Sequence, residues 1–290
     1  MKDEDMTNEA MQCHNYDEYD TEREPIFIVY NLKKDERVRN DHIDYSLIVF
    51  VLEGKVRVST GIYLQATVES GHMFVIHKGD NGFMRCLDDA VVMVCGFNSS
   101  MALCNGLSLN KTSISNILPP PHRLEVGLPC LKIQNMLMVE LDLMRREVES
   151  RLFGHRFMEF KRYVILSMLR TLYNKEELFY MFRWVQSDDF DFREEVFRHY
   201  TCELNAQELC SLMNMSTATF NRKFKKAFGL PVGEWLNNKR KVNVLMDLKT
   251  TDMTIKEIAA KYNLTPNYLT NFCKTHLGDV PANIRGGGEC

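Results

Sequence analysis

Residues 205–229 read NAQELCSLMNMSTATFNRKFKKAFG and residues 254–278 read TIKEIAAKYNLTPNYLTNFCKTHLG, so the second stretch repeats the first at an offset of 49. Asn205 and Thr254 each place a side-chain acceptor at a helix start. Glu208 and Glu257 follow three residues on, which gives the two halves of a capping box. Leu209 falls on Ile258, Met213 on Tyr262, Met215 on Leu264, Phe220 on Leu269 and Phe228 on Leu277. Ser216 and Thr265 are second N-caps. Pro266 then takes the first helical position, where its missing N–H costs nothing. Gly229 and Gly278 close the second helix of each unit. Each unit therefore predicts a helix of about nine residues, a tight turn and a second helix of about thirteen. That is the helix-turn-helix plan, in which the second helix enters the major groove of DNA.

Charge supports this reading. The formal net charge of −3 hides −8 over residues 1–203 and +5 over residues 204–290. Between Thr217 and Lys241 stand Arg222, Lys223, Lys225, Lys226, Lys239, Arg240 and Lys241 against Glu234 alone. A basic stretch by itself is a solvated helix face. Here it falls on and just after the first recognition helix, which points to a polyanion. Duplex DNA is the expected partner. The outward face of that helix carries Thr217, Ala218, Asn221, Arg222 and Lys225, and Asn267, Tyr268, Thr270 and Asn271 hold the corresponding face of the second. Lys225, Lys226, Lys239, Arg240 and Lys274 are expected on phosphates. The segment Glu234–Leu248 is a strut of about 22 Å between the units, with Trp235, Val242, Leu245 and Leu248 as its apolar stripe.

On these residues the chain resembles the AraC family of bacterial transcription regulators. The matching motifs are Leu209 through Gly229, Glu234-Trp235-Leu236 with Arg240, Thr251 through Ala259, Tyr268-Leu269, and Gly278-Asp279-Val280-Pro281 leading to Arg285. The resemblance covers residues 188–290. It implies that Ala218, Asn221 and Arg222 read bases and that the protein is an activator working with RNA polymerase; a homodimer is expected through the helical stripe of residues 129–187. Residues 26–187 resemble, more loosely, the cupin-like sensor domain and helical linker of such regulators. The chain departs from the family where Asn263-Leu264 replaces Gly-Phe, Asn271 replaces Arg, Cys273 replaces an aromatic residue, and Pro231-Val232 stands for Ser-Pro.

Upstream, residues 1–24 hold nine acids against Lys2 and Arg23 and read as a disordered tail. Residues 25–118 form the predicted sensor domain. Ser46–Leu52, Lys55–Thr60, Ile62–Val68, His72–His77, Phe83–Leu87 and Ala90–Phe97 are short strands separated by turn residues, a barrel or sandwich pattern. Phe27, Tyr30, Tyr45, Phe50, Tyr63 and Phe74 either line an effector cavity or fill the core. Pro119-Pro120-Pro121 breaks the chain. Residues 129–187 then switch to helical periodicity, with a stripe of Leu131, Ile133, Leu137, Leu141 and Met144 that suits either a core or a dimer partner. The predicted class is α+β: a cupin-like β-barrel, a helical linker, and an all-α domain with two helix-turn-helix units joined by a helix.

Nine scattered cysteines without a CxxC read as reduced thiols. No apolar run approaches the roughly 20 residues that span a bilayer, and the acidic start has no signal-peptide core, so a cytoplasmic protein without a membrane partner is expected. A cupin-type enzyme is the rival class. His42 and Asp44 share a strand face with Glu53 on the next turn, but there is no HxH, and His72 and His77 fall on opposite strand faces. Neither a cofactor, a metal nor a catalytic residue is expected. A regulator acting only through protein contacts would have lost Lys and Arg from its recognition helices, whereas the first helix keeps four.

Overall fold

The two most apolar runs of the sequence, Ser46–Glu53 (β3) and Ala90–Phe97 (β8), lie side by side as antiparallel strands, with Val49 opposite Val94. They are apolar at successive positions because both faces are covered. Ile48, Phe50, Met93 and Cys95 point to one core, and Leu47, Val49, Val51, Val92 and Val94 to another. Phe27–Leu32 (β1), His72–Ile76 (β6) and Cys130–Lys132 (β9) complete a five-stranded sheet in the order β1-β8-β3-β6-β9. Arg37–Asn40 (β2), Lys55–Thr60 (β4), Tyr63–Glu69 (β5) and Gly82–Cys86 (β7) make a four-stranded sheet in the order β2-β7-β4-β5. Val56, Val58, Val68 and Met84 of that sheet meet the inner face of the first. The N-terminal domain is thus two antiparallel sheets, face to face, where the sequence suggested a closed barrel. The computed structural model describes residues 26–40, 45–97, 127–150, 153–182 and 190–286. The acidic stretch 1–24, His42, Asp44, residues 98–118 and the triple proline lie outside the described residues.

The other face of the five-stranded sheet carries Asn135–Ser150 (α1), His155–Leu172 (α2) and Lys175–Phe182 (α3). Ile133, Leu137, Leu141 and Met144 are at most 4% exposed and share one core with Ile48, Phe50 and Met93. This corrects two expectations. Cys130–Lys132, assigned by periodicity to the helical linker, is an edge strand paired with β6, and the helix starts at Asn135. The stripe read as a possible dimer face is the face that covers the sheet. Tyr173 fixes this junction: its hydroxyl donates to the Lys132 carbonyl at 2.7 Å and accepts the Gln134 amide at 2.9 Å. Burial pushes the Cys86 and Cys130 thiols up to about 11.

The outer face of the four-stranded sheet packs on the C-terminal domain. That domain comprises Phe190–His199 (α4), Ala206–Leu212 (α5), Thr217–Phe228 (α6), Val232–Thr250 (α7), Ile255–Lys261 (α8), Pro266–Leu277 (α9) and Pro281–Gly286 (α10). The strut α7 has 19 residues, about 28 Å at 1.5 Å per residue, and is longer than predicted. It is also buried on more sides than one apolar stripe provides, because both units and the sheet surround it. Three buried polar residues, Lys239, Asn243 and Asp247, lie on it four residues apart. Asn243 Nδ2 donates to the Tyr200 hydroxyl at 3.3 Å. Asp247, with a fully buried side chain, accepts from Lys261 Nζ at 2.8 Å and from the Tyr262 hydroxyl at 2.6 Å, tying α8 to α7. Burial and the adjacent carboxylate push the Tyr262 phenol well above its ordinary pKa, so it stays a donor.

Removing one member of such a buried ionic cluster strands its partners and typically costs about 3–5 kcal/mol. Asp247→Ala is therefore expected to destabilise the helical domain by about 3 kcal/mol in urea unfolding followed by circular dichroism. A loss below about 1 kcal/mol would show that α8 docks on α7 through apolar packing alone.

Candidate nucleic-acid interface

The helix starts are built as the repeat predicts. Asn205 Oδ1 accepts the amides of Gln207 and Glu208 at 2.9 and 3.0 Å, while the Glu208 carboxylate accepts the Asn205 amide at 2.8 Å. In the second unit Thr254 Oγ1 accepts the Glu257 amide at 3.2 Å and Glu257 accepts the Thr254 amide at 2.6 Å, which holds the Glu257 carboxyl below its usual pKa. Ser216 caps α6 through the Thr219 amide and Thr265 caps α9 through the Tyr268 amide. Gly229 and Gly278 end these helices at φ 72° and 86°, the left-handed conformation that glycine adopts without penalty. The turns correspond as well. Asn263 adopts φ 53°, and Asn214, 49 residues earlier, adopts φ 51°. Sequence reasoning singled out only Asn263, although the repeat offset already pointed to its partner.

Inside each unit, aromatic and aliphatic side chains fix the recognition helix. Phe220, Phe224 and Phe228 are at most 3% exposed. The rings of Phe224 and Phe228 stack at 4.3 Å, and Trp235 of α7 meets Phe228 edge-on at 5.1 Å. Leu269, Phe272, Cys273 and Leu277 do the same for α9. Cys273 is fully buried where the family carries a larger side chain. With these faces committed inward, Thr217, Ala218, Asn221, Arg222, Lys225 and Lys226 of α6 are exposed, as are Asn267, Tyr268, Asn271 and Lys274 of α9. Thr270 is half-buried and its hydroxyl donates to the Pro266 carbonyl at 2.9 Å, so it is less available to a base than its neighbours.

The structure corrects one expected phosphate contact. Lys239 is 2% exposed and its ammonium forms an ion pair with Asp80 of the β-domain. It also lies 5.2 Å from the ring centres of both Phe197 and Trp235. An ammonium so enclosed does not meet a phosphate in this conformation. Arg240 is half-buried, and Lys241 donates to Asn238 Oδ1 at 3.0 Å. Lys223, on α6, lies over the Phe192 ring of α4 at 5.9 Å. The basic surface is consequently concentrated on Arg222, Lys225 and Lys226 of the first unit, with Lys274 on the second. His276 adds little charge near neutrality, because partial burial and the nearby Lys241 ammonium lower its pKa.

Capped helices, left-handed turns and two outward polar faces define a helix-turn-helix domain, and residues 209–287 match the family model described as "Helix-turn-helix domain". The C-terminal region of the chain is a helix-turn-helix domain. No curated protein matches the chain. Among solved structures, ToxT from Vibrio cholerae O395 is similar over 90% of this chain and 96% of its own, at 15% identity and a TM-score of 0.46. The C-terminal domain of the two-component response regulator yesN from Fusobacterium nucleatum is similar over 32% of this chain and 92% of its own, at 24% identity and a TM-score of 0.29. The DNA-binding domain of AdpA, solved with a target DNA, covers 29% of this chain and 76% of its own, at 27% identity and a TM-score of 0.27.

The left-handed turns generate a stability test. Asn263→Gly is expected to preserve or raise the melting temperature, whereas Asn263→Val should cost about 1–2 kcal/mol. Equal melting temperatures for the two variants would contradict the φ assigned to this turn.

Proposed function

We propose that the chain is a sequence-specific DNA-binding transcription regulator whose α6 and α9 enter successive major-groove segments, about one helical turn or roughly 34 Å apart. The observation that carries this reading is the repeated unit with a polar recognition face left exposed in the full chain, basic in the first copy. Ala218, Asn221 and Arg222 are the base readers of α6. Arg222 suits guanine O6 and N7, and Asn221 suits adenine. Asn267, Tyr268 and Asn271 take the equivalent role on α9. Lys225, Lys226 and Lys274 hold phosphates and set register. The resemblance in the helix-turn-helix motifs further supports an activator with RNA polymerase as partner.

The two units contribute unequally, since α6 carries four cations and no acid while α9 carries Lys274 and a His276 of lowered pKa. Arg222→Ala is expected to weaken binding to the protein's own selected site about ten- to a hundredfold and relax one base position. Lys225→Ala should weaken all sequences alike and reduce the salt slope by about one. Asn271→Ala should cost less than Arg222→Ala. A salt titration of the three variants checks this order, and equal losses for Arg222→Ala and Asn271→Ala would overturn it.

Two features of the N-terminal half support effector binding and dimerisation. A cavity of about 120 Å³ lies between the sheets, lined by Tyr30, Tyr45, Phe74, Val38 and Met84 among others. Of the other aromatics considered for such a cavity, Phe27 and Phe50 face the α1–α3 core and Tyr63 borders a smaller pocket near Asp80. The lining suits a small, mostly apolar effector. On the outer side of α1 and α2, Met136, Val139 and Phe160 are 63–70% exposed beside Leu143 and Tyr163. A contiguous apolar face of this kind on two packed helices is suited to an isologous contact with a second copy. This face replaces the stripe the sequence suggested. Val139→Asp should convert a dimer to a monomer in sedimentation at tens of micromolar. A wild-type chain that sediments only as a monomer there, with and without DNA, would remove the dimer.

A further inference from the structure

We propose that the four-stranded sheet is a positioning element for DNA recognition: docked on α7, it holds the two helix-turn-helix units at one mutual orientation and so sets the spacing of the DNA segments that one chain can read. The proposal rests on the DNA-binding reading above and deepens it.

The two units have separate cores. The first gathers α4, α5 and α6 around Trp235 and Leu236 at the start of α7, and the second gathers α8, α9 and Ile284 around Val244, Leu245 and Leu248 near its end. The two cores have no residue in common. Left to α7 alone, a small bend in that helix would turn one recognition helix against the other. The sheet reaches into both. Ile62, between β4 and β5, packs against the first core. Phe83 of β7, 7% exposed, is a member of the second, with Leu64 of β5 packed against it.

Charge anchors accompany each plug. On the side of the first unit, Asp80 and the Gly79 carbonyl receive the Lys239 ammonium, and Lys78 pairs with Glu194 of α4 at 2.5 Å. Gly79 brings its backbone against α4, since a Cβ there would lie 2.5 Å from the Phe197 ring. On the side of the second unit, Arg39 of β2 lies 3.5 Å from Asp247 and donates to Thr250 Oγ1 at 3.0 Å. Arg37 donates to the Lys249 carbonyl. Asp247 is the carboxylate that also holds Lys261 and Tyr262 of α8, so Arg39 is joined to the second unit through one shared group. Lys239 and Asp247 stand eight residues apart, about 12 Å along α7, so the sheet grips the helix at two separated points. Shifting the second DNA segment by one base pair would demand about 3.4 Å of translation and about 35° of rotation between units, which a strut gripped in this way resists. Arg39 and Asp80 are in this sense positioning residues, remote from the recognition faces.

The test uses the full chain and the protein's own selected duplex, with one or two base pairs inserted or removed between the segments covered by α6 and α9. The wild type should lose about tenfold or more in affinity per base pair changed, the scale of a mismatched site. The double variant Arg39→Ala, Asp80→Ala should show a flattened profile, losing about threefold or less, and Arg39→Lys alone should keep the sharp profile. Small-angle scattering reports undocking as a larger radius of gyration, and Ile62→Glu provides a second, independent way to undock the sheet. An undocked variant with the wild-type spacing profile would overturn the proposal. So would a chain that stays docked in both variants, since these residues would then not be the grip. A wild-type chain without salt-dependent affinity for any duplex would instead remove the DNA-binding reading on which the proposal stands.

Discussion

The row Lys239, Asn243, Asp247 on α7 places two charges and an amide where apolar side chains would be the easier choice. An unpaired charge in such a place is costly, so each is tied to a specific partner. Lys239 is held by Asp80 and flanked by the rings of Phe197 and Trp235, Asn243 by Tyr200, and Asp247 by Lys261, Tyr262 and Arg39. Because the partners come from α4, α8 and the four-stranded sheet, one helix orients three bodies at once. A rotation or slip of α7 by one residue would break the set together, which gives the packing a register that apolar contacts would leave soft.

Beyond this row the chain separates structural from recognition duties by face. In α6 the phenylalanines at 220, 224 and 228 are spent on packing, while Asn221, Arg222 and Lys225 between them are exposed. The same division runs through α9, where the cap residues and the buried Leu269, Phe272 and Leu277 carry the fold. It leaves the recognition faces exposed while α7 packs on the four-stranded sheet. The β-domain is layered by the same logic. Its central strands are apolar on both faces because helices cover one side and the second sheet covers the other.

Much of this was legible in the sequence. The 49-residue repeat located the four N-caps of the two units and both closing glycines, and the alternation from Ser46 to Phe97 placed the strands there to within a residue or two. Cap chemistry and strand period are local rules, satisfied by side chains within a few residues of one another, so they survive without tertiary information. Where the reading failed, the deciding partner was distant. Leu131 fits a helical stripe and a strand equally well, and pairing with β6 decided it. The stripe Leu137, Leu141, Met144 is apolar whether it meets a sheet or a second chain.

Lys239 shows the boundary most clearly. By sequence it stands in a basic cluster with Arg240 and Lys241, and nothing local distinguishes it from them. Asn243 and Asp247 repeat its polarity at four-residue spacing through the apolar half of the strut, Val242–Leu248, and were the available signal that one face of α7 meets something polar. The sequence by itself determined the four N-caps and the helices of the two repeated units and the strands between Ser46 and Phe97, because hydrogen-bond caps and hydrophobic period act within a turn or two of chain. Only the tertiary structure decided which charges are spent internally and which remain for DNA, because an ion pair between Asp80 and Lys239 joins residues 159 apart in sequence and exists only once sheet and helix have docked.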